Sequence, residues 1–144
     1  MTTVPVPTPA FTILIDGQCV LCAREAAFLR RLDSGRGRLA IVDITADGFD
    51  PAPFGRPFAD LMGRIHGHAP DGRVISGVEV FRRAYAAVGK GYLVAWTGWP
   101  LVRWVVDRLY GWFARHRRGI SSFAGRLLGR PRPLNCPGDR CRIE

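Results

Sequence analysis

The hydrophobic pattern divides the chain into short apolar runs and longer amphipathic ones. FTILI, Phe11 to Ile15, is apolar and β-branched and ends at Asp16-Gly17, which predicts a buried strand running into a turn. From Val20 to Leu32 the period becomes helical: Leu21, Phe28, Leu29 and Leu32 share one face, padded by Ala26 and Ala27, and Arg24, Glu25, Arg30 and Arg31 take the other. Asp33-Ser34-Gly35 stops this helix, with Gly35 suited to the left-handed exit position. LAIVDI, Leu39 to Ile44, is apolar almost throughout, as a central strand covered on both faces must be, so the first part reads as a β-α-β unit with parallel strands.

The next dozen residues, TADGFDPAPFGR, are turn chemistry, and Pro57 is placed to open a short helix through Met62. RIHGH and RVIS flank Ala69-Pro70-Asp71-Gly72, an order that suits a tight turn and predicts a hairpin from Arg64 to Ser76. Ser76 and Glu79 have the spacing of a capping box before a helix that carries Val78, Phe81, Tyr85 and Val88 on one face and stops at Gly89. The expected order is β-α-β-α-β-β-α, without internal repeats. Beyond it Pro100 begins a helical stretch whose Leu101, Trp104, Val105, Leu109, Trp112 and Phe113 form a broad apolar face, followed by a further helix over ISSFAGRLL. Arg103, Asp107 and Arg108 interrupt that face, which argues against a membrane span of about 20 apolar residues. Packing on the core is the expectation, and four tryptophans beside an arginine cluster leave an interfacial helix as the alternative. The predicted organisation is a flexible lead over 1–10, an α/β core over 11–89, a helical extension over 90–129 and a basic tail over 130–144.

Composition adds two constraints. At 144 residues and 47% hydrophobic content the chain has the size of one domain and can bury a core. The net charge of +9 is uneven, since +7 of it falls in residues 103–144. Such a basic end suits an anionic membrane surface or nucleic acid, and equally a solvated tail. MTTVPVPTPA lacks the features of a secretory leader, so the expectation is a cytoplasmic protein, where a close cysteine pair is redox-active or metal-binding more often than a structural staple.

DGQCVLC, Asp16 to Cys22, is where the chemistry concentrates. With Cys19 at the start of the helix, Cys22 lies one turn later on the same face, within the Cα separation of about 4.4–6.8 Å that a disulfide needs. The helix N-terminus stabilises a thiolate at the first position, which makes Cys19 the candidate nucleophile and Cys22 the candidate resolving thiol. Val20 and Leu21 between them offer no charge or donor, so a moderate redox potential is expected. Asp16 can take and return the proton of the second thiol, although capping the turn is the commoner role for an aspartate there. On these features redox chemistry leads, with a zinc site or an inert pair as alternatives.

The same residues resemble a known family. Asp16, Cys19 and Cys22 stand in the D-x-x-C-x-x-C pattern of the DCC family of thiol-disulfide oxidoreductases, and RLAIVDI, HAPDGRVISGVEVFRRAY and DRLYGWFARHR are similar to that family's later segments, so the likeness covers residues 11–118 in order. The resemblance implies a thioredoxin-like α/β fold, here a three-layer core with a C-terminal helical extension. It also implies Cys19 as nucleophile, Cys22 as resolving thiol and Asp16 as signature carboxylate; an enzyme working through these residues is expected to need no organic cofactor and no metal. Partners would be thiol or disulfide substrates. One departure from thioredoxin-like proteins is the lack of a proline just before the third strand: Pro70 lies in the turn and Pro57 before the helix.

The remaining candidates are weaker. Cys136 and Cys141 form a C-x4-C pair in a Pro/Gly-containing tail expected to be mobile, fit for electron relay, a zinc half-site or no role. His66 and His68 alternate on a strand and so face one side, an arrangement open to a metal but more often two ordinary surface residues. His116 is expected to be a helix-terminal cation. Arg115, Arg117, Arg118, Arg126, Arg130 and Arg132 are candidate phosphate contacts, and Trp104, Trp112 and Phe113 are expected in the core.

Overall fold

A computed structural model describes residues 8–129 and the strand pair Arg142–Ile143. The chain is mixed α/β, as its periodicities predict. Strand β1 (Phe11–Ile15) leads through a four-residue turn into α1 (Val20–Asp33) and returns as β2 (Leu39–Asp43), parallel to β1 from Phe11 beside Leu39 to Ile15 beside Asp43. A short helix α2 (Phe58–Gly63) precedes the hairpin β3 (His66–His68) and β4 (Val74–Ser76). Then come α3 (Val78–Ala87), two short 3-10 turns over Gly91–Leu93 and Ala95–Gly98, and a long helix α4 (Pro100–Leu128). The central sheet has the order β4-β3-β1-β2, with β3 antiparallel to β1, and β5 (Arg142–Ile143) adds an antiparallel edge beside β2.

β1 is buried on both faces. On one side Phe11, Ile13 and Ile15 meet Ala26 and Leu29 of α1 and Val80, Ala84 and Val88 of α3; on the other Leu14 meets Ile44 and Leu61. A sheet covered on both faces requires the near-continuous apolar strands that the sequence shows. Gly67 of β3 is required by this packing, since a Cβ there would collide with the Phe11 ring.

Several local expectations are corrected. The buried stripe of α1 is Val20, Ala23, Ala26 and Leu29, small residues that let the helix lie close to the sheet, and Phe28 is exposed. In α3 the centre of the buried face is Val80 and Ala84 rather than Val78 and Phe81. The exit of α1 is left-handed at two residues: Ser34 is the C-cap, its hydroxyl donating to the Arg31 carbonyl, and Gly35 follows at φ 72°, as expected of it. The Ser76–Glu79 capping box does not form: Gly77, at φ 80°, intervenes as N-cap, and Glu79 pairs with Arg82 and Arg83 instead.

α4 is one continuous helix of 29 residues, so the break expected before ISSFAGRLL is absent. His116 is consequently mid-helix, its Nδ1 donating to the Trp112 carbonyl at 2.9 Å. The helix starts beside α3, where Tyr110 meets Phe81 edge-on, and ends over the start of α1, where the Arg24 guanidinium donates to the Leu128 carbonyl at 2.7 Å. It thereby crosses the carboxyl end of β1. The Trp104 and Trp112 side chains, expected in the core, point outward. Part of the C-terminal tail, expected to be mobile, supplies β5; Cys136, Cys141, Arg130 and Arg132 lie outside the described residues.

Candidate functional site

The turn between β1 and α1 is held from both sides. The Asp16 carbonyl accepts from the Cys19 N–H at 3.0 Å and its Oδ1 accepts from the Gln18 N–H at 3.0 Å. Across the parallel pair, Asp43 Oδ1 accepts from the Gly17 N–H at 3.0 Å and from the N–H and hydroxyl of Thr45. Gly17 is the residue that allows this, because a Cβ would occupy the space of the Asp43 carboxylate. The end of β2 thus fixes the loop that presents Cys19.

Cys19 is the N-cap of α1. Its sulfur accepts from the Cys22 N–H at 3.4 Å and from the Cys22 thiol at 2.8 Å, and both cysteines are free. The hydrogen bond from the Cys22 thiol is the main reason that the Cys19 pKa falls to about 6; the Cys22 N–H and the Ser121 hydroxyl add to it, and burial and the Asp16 charge oppose it. Cys22 moves the other way, because its proton is held by the Cys19 sulfur and because burial and the neighbouring thiolate disfavour a second charge. At neutral pH the pair is therefore one thiolate and one thiol. Closing it into a bond of about 2.05 Å needs less than an ångström of approach from the present separation.

Asp16 is buried; Cys19 and not Asp16 is the N-cap of α1, but the Asp16 carboxylate does close the turn before it through the Gln18 N–H. Its Oδ2 pairs with the Arg117 guanidinium at 3.3 Å, and both side chains are at least nine-tenths buried. Arg117 also donates to the Met62 carbonyl, and its positive charge favours ionisation of Cys22. Arg117 is therefore an internal counter-ion rather than the exposed phosphate contact that the arginine run suggested.

Two further α4 residues complete the surroundings. Ser121 Oγ accepts from the Val20 N–H at 2.8 Å, satisfying an otherwise open donor of the first turn of α1 while its hydroxyl supports the Cys19 thiolate. The Tyr110 hydroxyl accepts from the Ile65 N–H at 2.8 Å just before β3, the position where the sequence lacks a proline. Burial raises the Tyr110 pKa, and the proximity of Cys22 contributes. Tyr110, Arg117 and Ser121 are spaced seven and four apart, one inward face of a helix, and that polar periodicity was the signal available in the sequence. A Ser121→Ala variant is expected to lose about 1 kcal/mol of stability through the orphaned Val20 N–H. It should also shift the Cys19 alkylation profile to higher pH, both effects being read by urea titration and iodoacetamide kinetics.

Cys19 is only 4% exposed, covered by the last turns of α4, and Cys22 is half-buried. Beside Gln18 an open groove of about 440 Å³ is lined by Ile44, Thr45, Asp47, Phe49, Phe58 and Met62.

The histidines do not join this site. His66 is buried, its Nδ1 donating to the Arg64 carbonyl at 2.9 Å, and burial holds its pKa below the usual value. His68 packs edge-on against Phe54. Among the described residues no three His, Cys, Asp or Glu side chains converge as metal ligands, and no helix is long and apolar enough to cross a membrane.

A family model of DCC1-like thiol-disulfide oxidoreductases matches residues 13–123. This chain belongs to that family. Membership of the DCC1-like family points to redox chemistry, and the segment matched contains both cysteines together with Asp16, Tyr110, Arg117 and Ser121. A chloroplastic protein of Arabidopsis thaliana, described as uncharacterised, is 35% identical over 110 residues, which are 76% of this chain and 51% of the relative. The chain therefore spans about half the length of that relative. No solved structure matches.

Proposed function

We propose that this chain is a thiol-disulfide oxidoreductase of thioredoxin-like architecture in which Cys19 is the nucleophile and Cys22 the resolving thiol. The observation that carries the reading is Cys19 at the N-terminus of α1, accepting from both the N–H and the thiol of Cys22, with a pKa near 6. The β-α-β start, the β3–β4 hairpin followed by α3, and the site at the carboxyl end of β1 support the thioredoxin-like assignment.

The Cys19 thiolate attacks one sulfur of a substrate disulfide, forming a mixed disulfide and releasing one substrate thiolate. With Cys19 no longer anionic, the Cys22 proton loses the acceptor that held it. Asp16, placed beside it with Arg117, takes that proton, and the Cys22 thiolate attacks Cys19 and releases the second substrate sulfur. The sum is one substrate disulfide reduced to two thiols and one protein dithiol oxidised to a disulfide; run backwards, the same steps oxidise a dithiol substrate. The groove beside Gln18 receives the groups flanking the substrate sulfur. Because Cys19 is covered, attack requires the last turns of α4 to draw back from Val20, a local opening of the kind that precedes catalysis in many lidded sites.

The pH dependence of Cys19 modification tests this. Reaction with iodoacetamide should follow a thiolate midpoint near pH 6, below the value of about 8.5 for a free cysteine. For the reduced protein the sign follows from linkage: the stabilisation from this thiolate is full above the unfolded value of about 8.5 and is lost as pH falls through the folded value. A midpoint at the free-cysteine value would remove the activated nucleophile and the proposal with it.

A further inference from the structure

All four tryptophans of the chain are exposed, by between 53% and 68%: Trp96 and Trp99 just before α4, Trp104 and Trp112 on it. Along α4, Leu101, Val105, Leu109, Trp112, Phe123 and Leu127 recur at multiples of three and four residues and are all exposed, Leu101 at 86%. At 1.5 Å per residue the stripe is about 39 Å long. It is far larger than the scattered apolar residues of an ordinary surface. Arg108, Arg115 and Arg126, seven and eleven residues apart, line one edge, with the Arg108 guanidinium 5.3 Å from the centre of the Trp104 ring. Arg103 and Arg118 are exposed too, and Asp107 is the sole acid of the helix.

We infer that the outer face of α4 docks on an anionic phospholipid surface, lying in the plane of the interface. Tryptophan rings and leucine side chains enter the headgroup boundary while the arginines along the edge meet lipid phosphates, the composition by which interfacial helices are held. The absence of a membrane-spanning helix among the described residues agrees with a helix that lies on the surface. A second copy of the chain is disfavoured as the occupant, because pairing two such faces brings together two rows of arginine on molecules of net charge +9. A nucleic acid would meet the charges but has no use for the leucines and Phe123. This inference does not depend on the redox reading, because the inward face of α4 serves the cysteines and the outward face is separate.

Intrinsic fluorescence of the full chain reports on the face, since Trp104 and Trp112 lie on α4, Trp96 and Trp99 just before it, and all four are exposed. Added vesicles of phosphatidylcholine with phosphatidylserine should shift the emission to shorter wavelength, and brominated lipids should quench it. Vesicles of phosphatidylcholine alone should bind at least about tenfold more weakly, the arginines each contributing near the surface. Trp104→Ser with Leu109→Ser should lower the affinity about tenfold or more through lost apolar burial, and Arg108→Glu with Arg115→Glu should remove the preference for anionic lipid. These side chains are exposed, so the fold is kept, which is checked by circular dichroism and an unchanged Cys19 alkylation profile. No blue shift with anionic vesicles, a shift that depends on protein concentration with dimerisation in sedimentation, or salt-sensitive binding to an oligonucleotide without lipid quenching would each overturn the proposal.

Discussion

Cys19→Ser is expected to abolish disulfide exchange, by about a thousandfold or more, because the group removed forms the covalent intermediate. Cys22→Ser should behave differently. Its Cys19 is still expected to attack, but nothing resolves the product, so a stable mixed disulfide with a small disulfide substrate should accumulate and be seen as a mass increment. The Cys22→Ser thiolate should also be less acidic, because the Cys22 thiol is the largest contributor to the depressed Cys19 pKa. Measured side by side, one variant inert and one trapped would assign the two roles. Equal loss in both without a trapped species would count against the order of events.

The second large effect concerns the buried pair. Asp16→Ala leaves the Arg117 guanidinium inside the protein with the Met62 carbonyl as its remaining partner among the described residues, and breaking a buried pair from one side costs about 3–5 kcal/mol. Arg117→Met is expected to be destabilising for the same reason, since it strands the carboxylate. The double variant Asp16→Ala, Arg117→Met should recover much of the loss, as replacing both members of a buried pair with apolar groups is often close to neutral. Urea unfolding of the four proteins gives the coupling directly. If the single losses are below about 1 kcal/mol and simply add, the pair is solvated and the account of the site is wrong. Exchange kinetics of the double variant then separate structure from chemistry: a stable protein that forms the mixed disulfide but resolves it slowly would place the Asp16 carboxylate in the proton path of Cys22.

What the sequence disclosed and what it hid follow a physical division. β1, the parallel return through β2 and the cysteine turn are local features: an apolar run, a helical period and a C-x-x-C at their junction carry enough information within 35 residues. The surroundings of the thiolate are not local. Ser121 reaches Val20 across 101 residues of sequence, and Arg117 stands equally far from Asp16. Periodicity also misjudged the orientation of α4, whose tryptophans and leucines were expected to face the core. The helix turns Tyr110, Arg117 and Ser121 inward, because the surface beneath it is the polar cysteine site at the end of β1, and it leaves its most apolar stripe outside. Hydrophobicity alone does not decide which face is covered when the neighbour is a polar cluster. Gly77 makes the same point on a small scale: Ser76 and Glu79 have capping spacing, but a left-handed glycine between them takes the N-cap and turns the serine away.

The central claim is a reversible thiol-disulfide couple between Cys19 and Cys22, and the most direct measurement is a redox titration with trapping of free thiols by a mass-shifting alkylating agent. Cys136 and Cys141 are replaced by serine so that only the α1 pair is counted. A single two-electron transition is expected, lost in Cys19→Ser, with a midpoint inside the range of about −270 to −120 mV spanned by C-x-x-C reductants and oxidants. Both thiols remaining free at every poise would contradict it.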